Sequence, residues 1–251
     1  SIKEQQEKNE MQANYIAEIT AQQNTLDDQD AKLKTQDEKL SALAQQLAEQ
    51  AQKLKEQEAA LAQQQVDLDE KTQLISTQQA KIDNIIGVKA EVVESLQQEF
   101  AKNNLNVNID SQTGALTLDA SVLFAYDDAE LTEEGKTALR SVLPIYCKVL
   151  LEDSYKSYLA EIIIDGYTDT DGDYAYNLEL SQRRSLAVAQ YLLEIQGEFL
   201  TSDQTIDLQD YLTVNGHSMA NPILDADGNV DKDASRRVEV KFRLKDDEMI
   251  D

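Results

Sequence analysis

The chain is poor in the residues that break helices and in those that carry most acid–base and metal chemistry. Its 251 residues include eight glycines, two prolines, one cysteine, one histidine and no tryptophan. The single cysteine, Cys147, cannot form an internal disulfide, and its place in an apolar helical pattern predicts a small core residue. With one histidine, His217, and no readable carboxylate pair, no nucleophile and base can be assigned. We therefore expect a protein that is not an enzyme and needs no cofactor or metal.

Basic residues are also scarce. Lysine and arginine total 23 against 48 aspartates and glutamates, a formal net charge of −25. Such a charge argues against nucleic acid and anionic membrane surfaces as partners. No run of eighteen apolar residues is present, so the sequence predicts no membrane span. Because the chain begins with Ser1 and runs directly into a helical pattern, we expect an anchor or signal segment to be missing upstream.

Residues 1–86 contain neither glycine nor proline and carry a strict heptad repeat. Apolar residues recur at a spacing of seven, at Ile19, Leu26, Leu33, Leu40, Leu47, Leu54, Leu61, Leu68, Ile75 and Ile82. A sustained seven-residue repeat keeps one seam facing a partner when helices supercoil around each other. The pattern therefore predicts a coiled-coil rod over residues 1–86, with an expected length of about 120 Å.

The second position of this seam is mostly polar. Three residues after each apolar residue stands a glutamine in most heptads, as at Gln22, Gln29, Gln50, Gln57 and Gln64. Half of the core is therefore polar, so we expect modest stability and a seam that fixes register. We expect a homodimer through this rod, although the repeat leaves the number of strands open.

Residues 87–104 read as a connecting helix after a break at Gly87, and residues 105–251 as a compact mixed domain. A hairpin is predicted at 106–118, with Gly114 at its turn, and strands at 161–164, 211–216 and 238–244. Helical patterns begin near Thr132 and Ala175, and Pro144 predicts a kink or break in the first of them. The fold class is α+β: a long N-terminal helix, then a two-layer α/β sandwich with a mixed sheet.

A polar strand-to-helix loop, 165–177, lies between the central strand and the second helix of this domain. On a helical wheel, Arg184 falls in the middle of that helix's apolar face, where a guanidinium is costly unless it is paired. Arg184 could satisfy a neighbouring carboxylate for structural reasons. Alternatively, because helical side chains lean towards the N-terminus, it faces Asp169 in the loop. A cation beside an anion suits a zwitterionic ligand such as a free amino-acid head.

The loop and helix also resemble a known family. Asp165-Gly-Tyr-Thr-Asp169, Tyr176-Asn177 and Arg183-Arg184 are similar to the central motif of the OmpA/MotB/Pal-like peptidoglycan-binding domain. Phe124–Leu131 resembles its opening segment and Arg236-Arg-Val-Glu239 its closing one, with Ser235 in place of the usual Asn and Tyr167 in place of the commoner His. The resemblance implies that the domain holds the diaminopimelate head of the peptidoglycan stem peptide non-covalently. The residues that it implies as ligands are Asp169, Arg184, Thr168, Asn177 and Arg237.

A rod before a wall-binding domain implies a tether in the cell envelope, on the periplasmic or extracytoplasmic side, membrane-anchored through the missing segment. Because the rod precedes the binding domain and the expected missing segment leaves room for a membrane span, we favour the MotB-like subunit of an ion-driven motor, of the flagellar or phage-defence type, which would work with a membrane channel subunit. Two alternatives stay open: a passive OmpA/Pal-like linker from outer membrane to wall, and a structural coiled-coil protein whose head binds another protein.

Two acidic stretches resemble calcium loops, 169–173 and 225–233. Neither has the Gly at position six and the Glu at position twelve that the helix-loop-helix calcium site requires. Whether the loop Asp225–Asp233 binds calcium is left open by the sequence.

Overall fold

The computed structural model describes residues 2–245; the two ends of the expected domains, Ser1 and 246–251, lie outside this range. The helices are α1 Ile2–Lys102, α2 Ala120–Leu123, α3 Glu133–Leu150, α4 Asp153–Lys156, α5 Tyr174–Ile195, α6 Ser202–Tyr211 and α7 Lys232–Ser235. The strands are β1 Asn108–Ile109, β2 Leu116–Asp119, β3 Leu159–Tyr167, β4 Leu212–Gly216 and β5 Arg237–Leu244. A 3₁₀ turn, Gln196–Glu198, follows α5.

Helix α1 runs without interruption through Gly87, where the sequence predicts a break. A single glycine in a helix interior costs only about 1 kcal/mol relative to alanine, which packing and neighbouring helix formers can outweigh. The chain forms two compact units, and their boundary lies after Ile75, earlier along the helix than the expected boundary at residue 86.

The first unit, up to Ile75, is helical, and its heptad residues face solvent. Leu26, Leu40, Leu54 and Leu68 each expose more than half of their surface. These leucines lie on one stripe of the helix because their spacing of seven residues is close to two helical turns. Within residues 2–75 of this single chain, no other segment packs against the stripe.

The second unit, from Ser76, is built on a five-stranded sheet in the order β1-β2-β5-β3-β4. β5 pairs antiparallel with both β2 and β3, whereas β3 and β4 pair in parallel. The parallel pair is joined by α5 and α6, the crossover that parallel strands require. The predicted mixed sheet is therefore confirmed.

One face of the sheet is covered by helices and forms the core. Ile162 and Ile164 of β3 and Val240 of β5 are fully buried, in one cluster with residues from α3 and α5. The last turns of α1 join this cluster through Val92, Val93, Leu96 and Phe100. Alternation along each strand sends every second side chain into this layer. The arrangement is the predicted α/β sandwich.

Helix α3 continues through Pro144, so the predicted break is absent. Its N-cap is Thr132, whose hydroxyl accepts a hydrogen bond from Gly135 N at 2.9 Å. The missing N–H of a proline removes one helical hydrogen bond. The buried face around Pro144, which includes Leu143 and Cys147, supplies packing that holds the helix together.

Two glycines let α5 approach the sheet closely. A Cβ on Gly166 of β3 would lie 2.2 Å from the Ser181 carbonyl oxygen, and one on Gly216 of β4 would lie 2.4 Å from Gln182 N. Real Cβ atoms do not come so close to backbone, so only glycine permits this packing. Ser185 Oγ also donates to the Asn215 carbonyl of β4 at 2.9 Å. These contacts fix the helix that carries Arg184.

Within residues 2–245, no helix is both long and apolar enough to cross a membrane.

Candidate functional site

A cavity of about 500 Å³ opens where β3 ends and α5 begins. Its walls come from α2 and the loop between α2 and α3, from the loop between β3 and α5, from α5, and from Arg236 just before β5. Its charged and polar lining residues are Ser121, Tyr126, Asp127, Thr168, Asp169, Asp171, Tyr176, Asn177, Arg184 and Arg236. Phe124 and Leu180 supply an apolar floor. The end of a strand and the start of a helix meet here, a common place for a ligand site.

The β3–α5 loop is shaped by its own aspartates. Asp173 caps α5, because its carboxylate accepts from the backbone N–H groups of Ala175 and Tyr176 at 2.9 and 3.2 Å. Gly172 takes a positive φ of 90°, which glycine adopts without strain. Asn177 Nδ2 donates to the Asp171 carbonyl at 2.7 Å and so ties the loop to the helix. Asp171 and Asp173 therefore have turn and cap roles.

Arg184 is the buried cation of the cavity, with 5% of its surface exposed. Its Nε donates to the Asp128 carbonyl at 2.8 Å, and its guanidinium lies 5.3 Å from the centre of the Phe124 ring. Within residues 2–245, no carboxylate forms an ion pair with it. Burial lowers the pKa of the guanidinium, because desolvation disfavours its charged form, although it stays protonated. A buried cation without an ion-pair partner is poised to meet an anionic ligand.

Asp169 lines the same cavity as this cation, and both of its oxygens are engaged. Oδ1 accepts from Asp171 N at 3.0 Å, while Oδ2 forms an ion pair with Arg236. The hydrogen bond to Asp169 raises the pKa of Arg236 above its usual range. Arg236 also pairs with Asp233 on α7. The loop before β5 is thereby attached to the wall of the cavity.

Thr168 lies at the base of the loop and is 3% exposed. Its backbone N–H donates to the Ser218 carbonyl at 2.8 Å, and its hydroxyl donates to the Asp169 carbonyl at 3.0 Å. These bonds fix the backbone from which Asp169 projects. Thus the structure brings together four of the residues predicted from the sequence: Asp169, Arg184, Thr168 and Asn177.

The fifth predicted residue, Arg237, is not among the residues that line the cavity. It begins β5, and the alternation of that strand turns its side chain away from the face of Val238 and Val240. Its guanidinium stacks on Tyr167 at 3.9 Å, and its Nε donates to Glu239 at 2.6 Å. The arginine that lines the cavity is Arg236, the residue just before the strand.

Asp127 also lines the cavity; it lies in the segment Phe124–Leu131 that resembles the family's opening motif, but it was not among the predicted ligands. It has a positive φ of 58°, which aspartate tolerates better than most residues. Its Oδ1 accepts a hydrogen bond from the Tyr176 hydroxyl at 2.7 Å, which links the α2–α3 loop to α5. Long-range contacts of this kind depend on the fold and leave no local pattern.

The aspartates of the acidic stretch 225–233 stabilise the turn and the short helix to which they belong. Asp225 Oδ1 accepts from the backbone N–H groups of Asp227 and Asn229 at 3.0 and 2.9 Å. Asp231 caps α7, and Asp233 pairs with Arg236. These are ordinary roles of aspartate in turns and helix caps.

The sole cysteine and histidine also lie away from the cavity. Cys147 is fully buried, and burial raises the pKa of its thiol to about 12. His217 stacks on Tyr167 with ring centres 4.8 Å apart. Its Nε2 lies 3.2 Å from Asp165 Oδ2, but not at a hydrogen-bonding angle. Neither side chain faces the lining residues of the cavity.

Comparison with known proteins agrees with this architecture. Residues 123–236 match the OmpA family. The chain is 36% identical over 162 residues to Zorya protein ZorB of one Escherichia coli strain and 29% identical over 163 residues to ZorB of another. These matches cover 60% and 62% of this chain and 67% and 64% of the relatives. The chain thus spans about two thirds of the length of these curated relatives.

Shorter and more distant similarities accompany these. Outer membrane protein A of Escherichia fergusonii is 35% identical over 82 residues, which cover 33% of this chain and 31% of that protein. A solved MotB-like protein from Desulfovibrio vulgaris is 20% identical with a TM-score of 0.46, over 64% of this chain and 94% of the other. From the family match and the ZorB identity, we conclude that the chain belongs to the OmpA family, with its OmpA-like domain in the second unit.

Proposed function

We propose that the second unit binds peptidoglycan non-covalently, by holding the zwitterionic head of a diaminopimelate stem peptide in the cavity at the end of β3. The observation that carries this proposal is Arg184. It is buried in an open cavity and has no carboxylate partner within residues 2–245. Burial of an uncompensated cation opposes folding, so its placement is best explained by a ligand that arrives later.

In this proposal the ligand's carboxylate binds Arg184, whose Nε is already oriented by the Asp128 carbonyl and whose remaining N–H groups are available for an anion. Asp169, which lines the same cavity, attracts the ligand's ammonium. It shares its Oδ2 with Arg236, which lies close enough to add a second positive charge near the carboxylate. Thr168 and Asn177 hold the loop that presents Asp169.

A pull-down on purified sacculi tests these roles. Full-chain variants Asp169→Ala and Arg184→Ala should lose binding. Arg183→Ala is the matched control, because Arg183 is exposed and adjacent in sequence, so it removes the same charge outside the cavity. Equal binding of all variants and the unaltered chain would overturn the proposal. Equal loss in the control would instead indicate an unspecific effect of charge.

We further propose that the chain is a wall-anchoring subunit of a MotB-like, ion-driven motor, on the extracytoplasmic side of a membrane. The support is the extent of similarity to the ZorB proteins. It covers 162 residues, whereas the similarity to outer membrane protein A covers 82. The chain therefore shares with ZorB more sequence than it shares with the outer-membrane protein, which favours a motor subunit over a passive linker.

The coding sequence upstream of Ser1 tests this second proposal. A motor subunit should have a single apolar span of about 20 residues there, and an acidic residue within it would serve ion passage. Such a protein should co-purify from membranes with a channel subunit. A lipoprotein signal or a β-barrel sequence upstream would contradict the motor assignment and favour the passive linker.

Finally, we propose that two copies pair through the first unit. Each heptad leaves one large apolar side chain exposed, as with Leu47 and Leu54, both 58% exposed. Full burial of a leucine stabilises by about 1.5–3 kcal/mol, so a continuous stripe favours pairing even with a polar second position. A double variant, Leu47→Glu and Leu54→Glu, should sediment as a monomer. Gln45→Glu with Gln52→Glu adds the same charge on the far side of the helix and should leave the mass unchanged. A monomeric unaltered chain would contradict pairing.

A further inference from the structure

The charges that line the cavity divide into paired and unpaired groups. Asp169 pairs with Arg236, and Asp171 pairs with Lys232 at 2.8 Å. Two groups are left without an ion-pair partner within the described residues: the cation of Arg184 and the anion of Asp127. They come from different segments, Arg184 from α5 and Asp127 from the α2–α3 loop. One free charge of each sign faces the same cavity.

The carboxylate of Asp127 is held in place rather than freely rotating. Its Oδ1 accepts from the Tyr176 hydroxyl at 2.7 Å, and within residues 2–245 its Oδ2 forms neither a hydrogen bond nor an ion pair. The two residues are also connected through the backbone, since Arg184 Nε donates to the carbonyl of Asp128, the next residue in the chain. Burial lowers the pKa of Arg184, and among the nearby charged groups Asp127 raises that pKa most. The anion therefore lies near the buried cation without contacting it.

We infer that Asp127 is a second acidic ligand, which binds the head ammonium of the stem peptide together with Asp169. An amino-acid head carries its ammonium and carboxylate on one carbon, so it can bridge two unpaired charges of opposite sign. The ammonium has three N–H donors, which two carboxylates can share. Asp169 has only a partly engaged Oδ2 to offer, whereas Asp127 Oδ2 has no partner to displace. This inference rests on the proposed peptidoglycan binding and deepens it.

Asp127 could instead serve only to hold Tyr176, and the two roles predict different ligand preferences. If Asp127 binds the ammonium, the chain should discriminate between two stem peptides that differ in that group alone. One contains diaminopimelate; the other contains 2-aminopimelate, which keeps the head carboxylate and lacks the head ammonium. Asp127→Asn should reduce this discrimination, because asparagine keeps a hydrogen-bond acceptor for Tyr176 but loses the negative charge.

Calorimetric titration of the full chain with these two peptides is the test. Asp127→Asn should bind the diaminopimelate peptide roughly 10- to 100-fold more weakly, the range expected for one lost charge-assisted hydrogen bond. Its affinity for the 2-aminopimelate peptide should change much less. Asp203→Asn, on the exposed first turn of α6, is the control for net charge and should match the unaltered chain.

The outcomes separate this inference from the proposal on which it rests. If the unaltered chain binds neither peptide, peptidoglycan binding itself fails. If the unaltered chain binds and discriminates, and Asp127→Asn binds and discriminates equally, the inference about Asp127 is overturned. A near-ultraviolet spectrum of each variant verifies folding, because nine of the ten tyrosines lie after residue 75.

Discussion

Replacement of Arg184 by methionine should remove ligand binding and leave the stability of the second unit nearly unchanged. Arg184 is 5% exposed, and its guanidinium contacts the Asp128 carbonyl and the Phe124 ring. Methionine is apolar and flexible enough to fill the same space against Phe124 and Leu180. The variant therefore separates a structural role of the arginine from a ligand-binding role.

The expected change in unfolding free energy is small because two terms oppose each other. Loss of a hydrogen bond from a charged donor costs about 1.5–3 kcal/mol, and loss of a cation–π contact costs about 0.5–2 kcal/mol. Removal of a buried, unpaired cation recovers a desolvation penalty of several kcal/mol. The net change should lie within about 1 kcal/mol of zero. A buried arginine that paired a structural carboxylate would instead cost about 3–5 kcal/mol on replacement.

Urea unfolding of the full chain, followed by tyrosine near-ultraviolet circular dichroism, measures this change. The signal reports on the second unit, since Tyr15 is the only tyrosine in the first. A companion titration with a diaminopimelate muropeptide measures binding. Destabilisation of 3 kcal/mol or more, or retention of binding, would refute the assignment of Arg184 to a ligand.

Three further predictions concern the scaffold. Gly166→Ala should destabilise the second unit by several kcal/mol in urea unfolding, because its Cβ would meet the Ser181 carbonyl at 2.2 Å; Gly197→Ala, with nothing within 4 Å, should be neutral to slightly stabilising. Cys147, with its thiol pKa raised to about 12, should not react with a disulfide reagent at pH 8 until the chain is unfolded; fast reaction of the native chain would contradict its burial. Burial raises the pKa of Asp165, but bonds from Lys241 and Asn215 outweigh it and hold that pKa below its usual range. The stability that Asp165 contributes is therefore present above its unfolded-state pKa of about 3.9 and is lost as pH falls through the lower folded-state pKa. Asp165→Asn should flatten the acid limb of a plot of stability against pH. An acid limb identical to that of the unaltered chain would count against this network.

Much of the fold could be predicted because its signals are local. The spacing of seven identifies the α1 stripe, and alternation in Val238, Val240, Phe242 and Leu244 identifies β5 and its buried face. Gly87 shows the limit of such signals. A glycine in a helix interior lowers helix stability by a known amount. Whether the helix ends at Gly87 depends instead on how Val92 and Phe100 pack against the domain, and such tertiary contacts cannot be read from the local sequence.

The site was predictable where side-chain direction follows from one element. The helical wheel of α5 places Arg184 towards the loop, and the structure places it in the cavity. The structure distinguishes two adjacent arginines. Arg236 lines the cavity, whereas Arg237 lies on the face of β5 opposite Val238 and is not a lining residue. Asp127 lies in the family-like segment Phe124–Leu131, but its part in the cavity could not be read from that segment, because its position depends on a contact with Tyr176, 49 residues away.

The central claim is that the cavity around Arg184 holds the zwitterionic head of a peptidoglycan stem peptide. Thermal unfolding of the full chain with and without a diaminopimelate muropeptide tests it most directly. A ligand at 100 times its Kd stabilises the native state by about 2.7 kcal/mol, which should raise the Tm of the second unit by roughly 5–10 °C. We predict this shift for the unaltered chain and none for Arg184→Met. No shift in the unaltered chain, or the same shift in both, would contradict the claim.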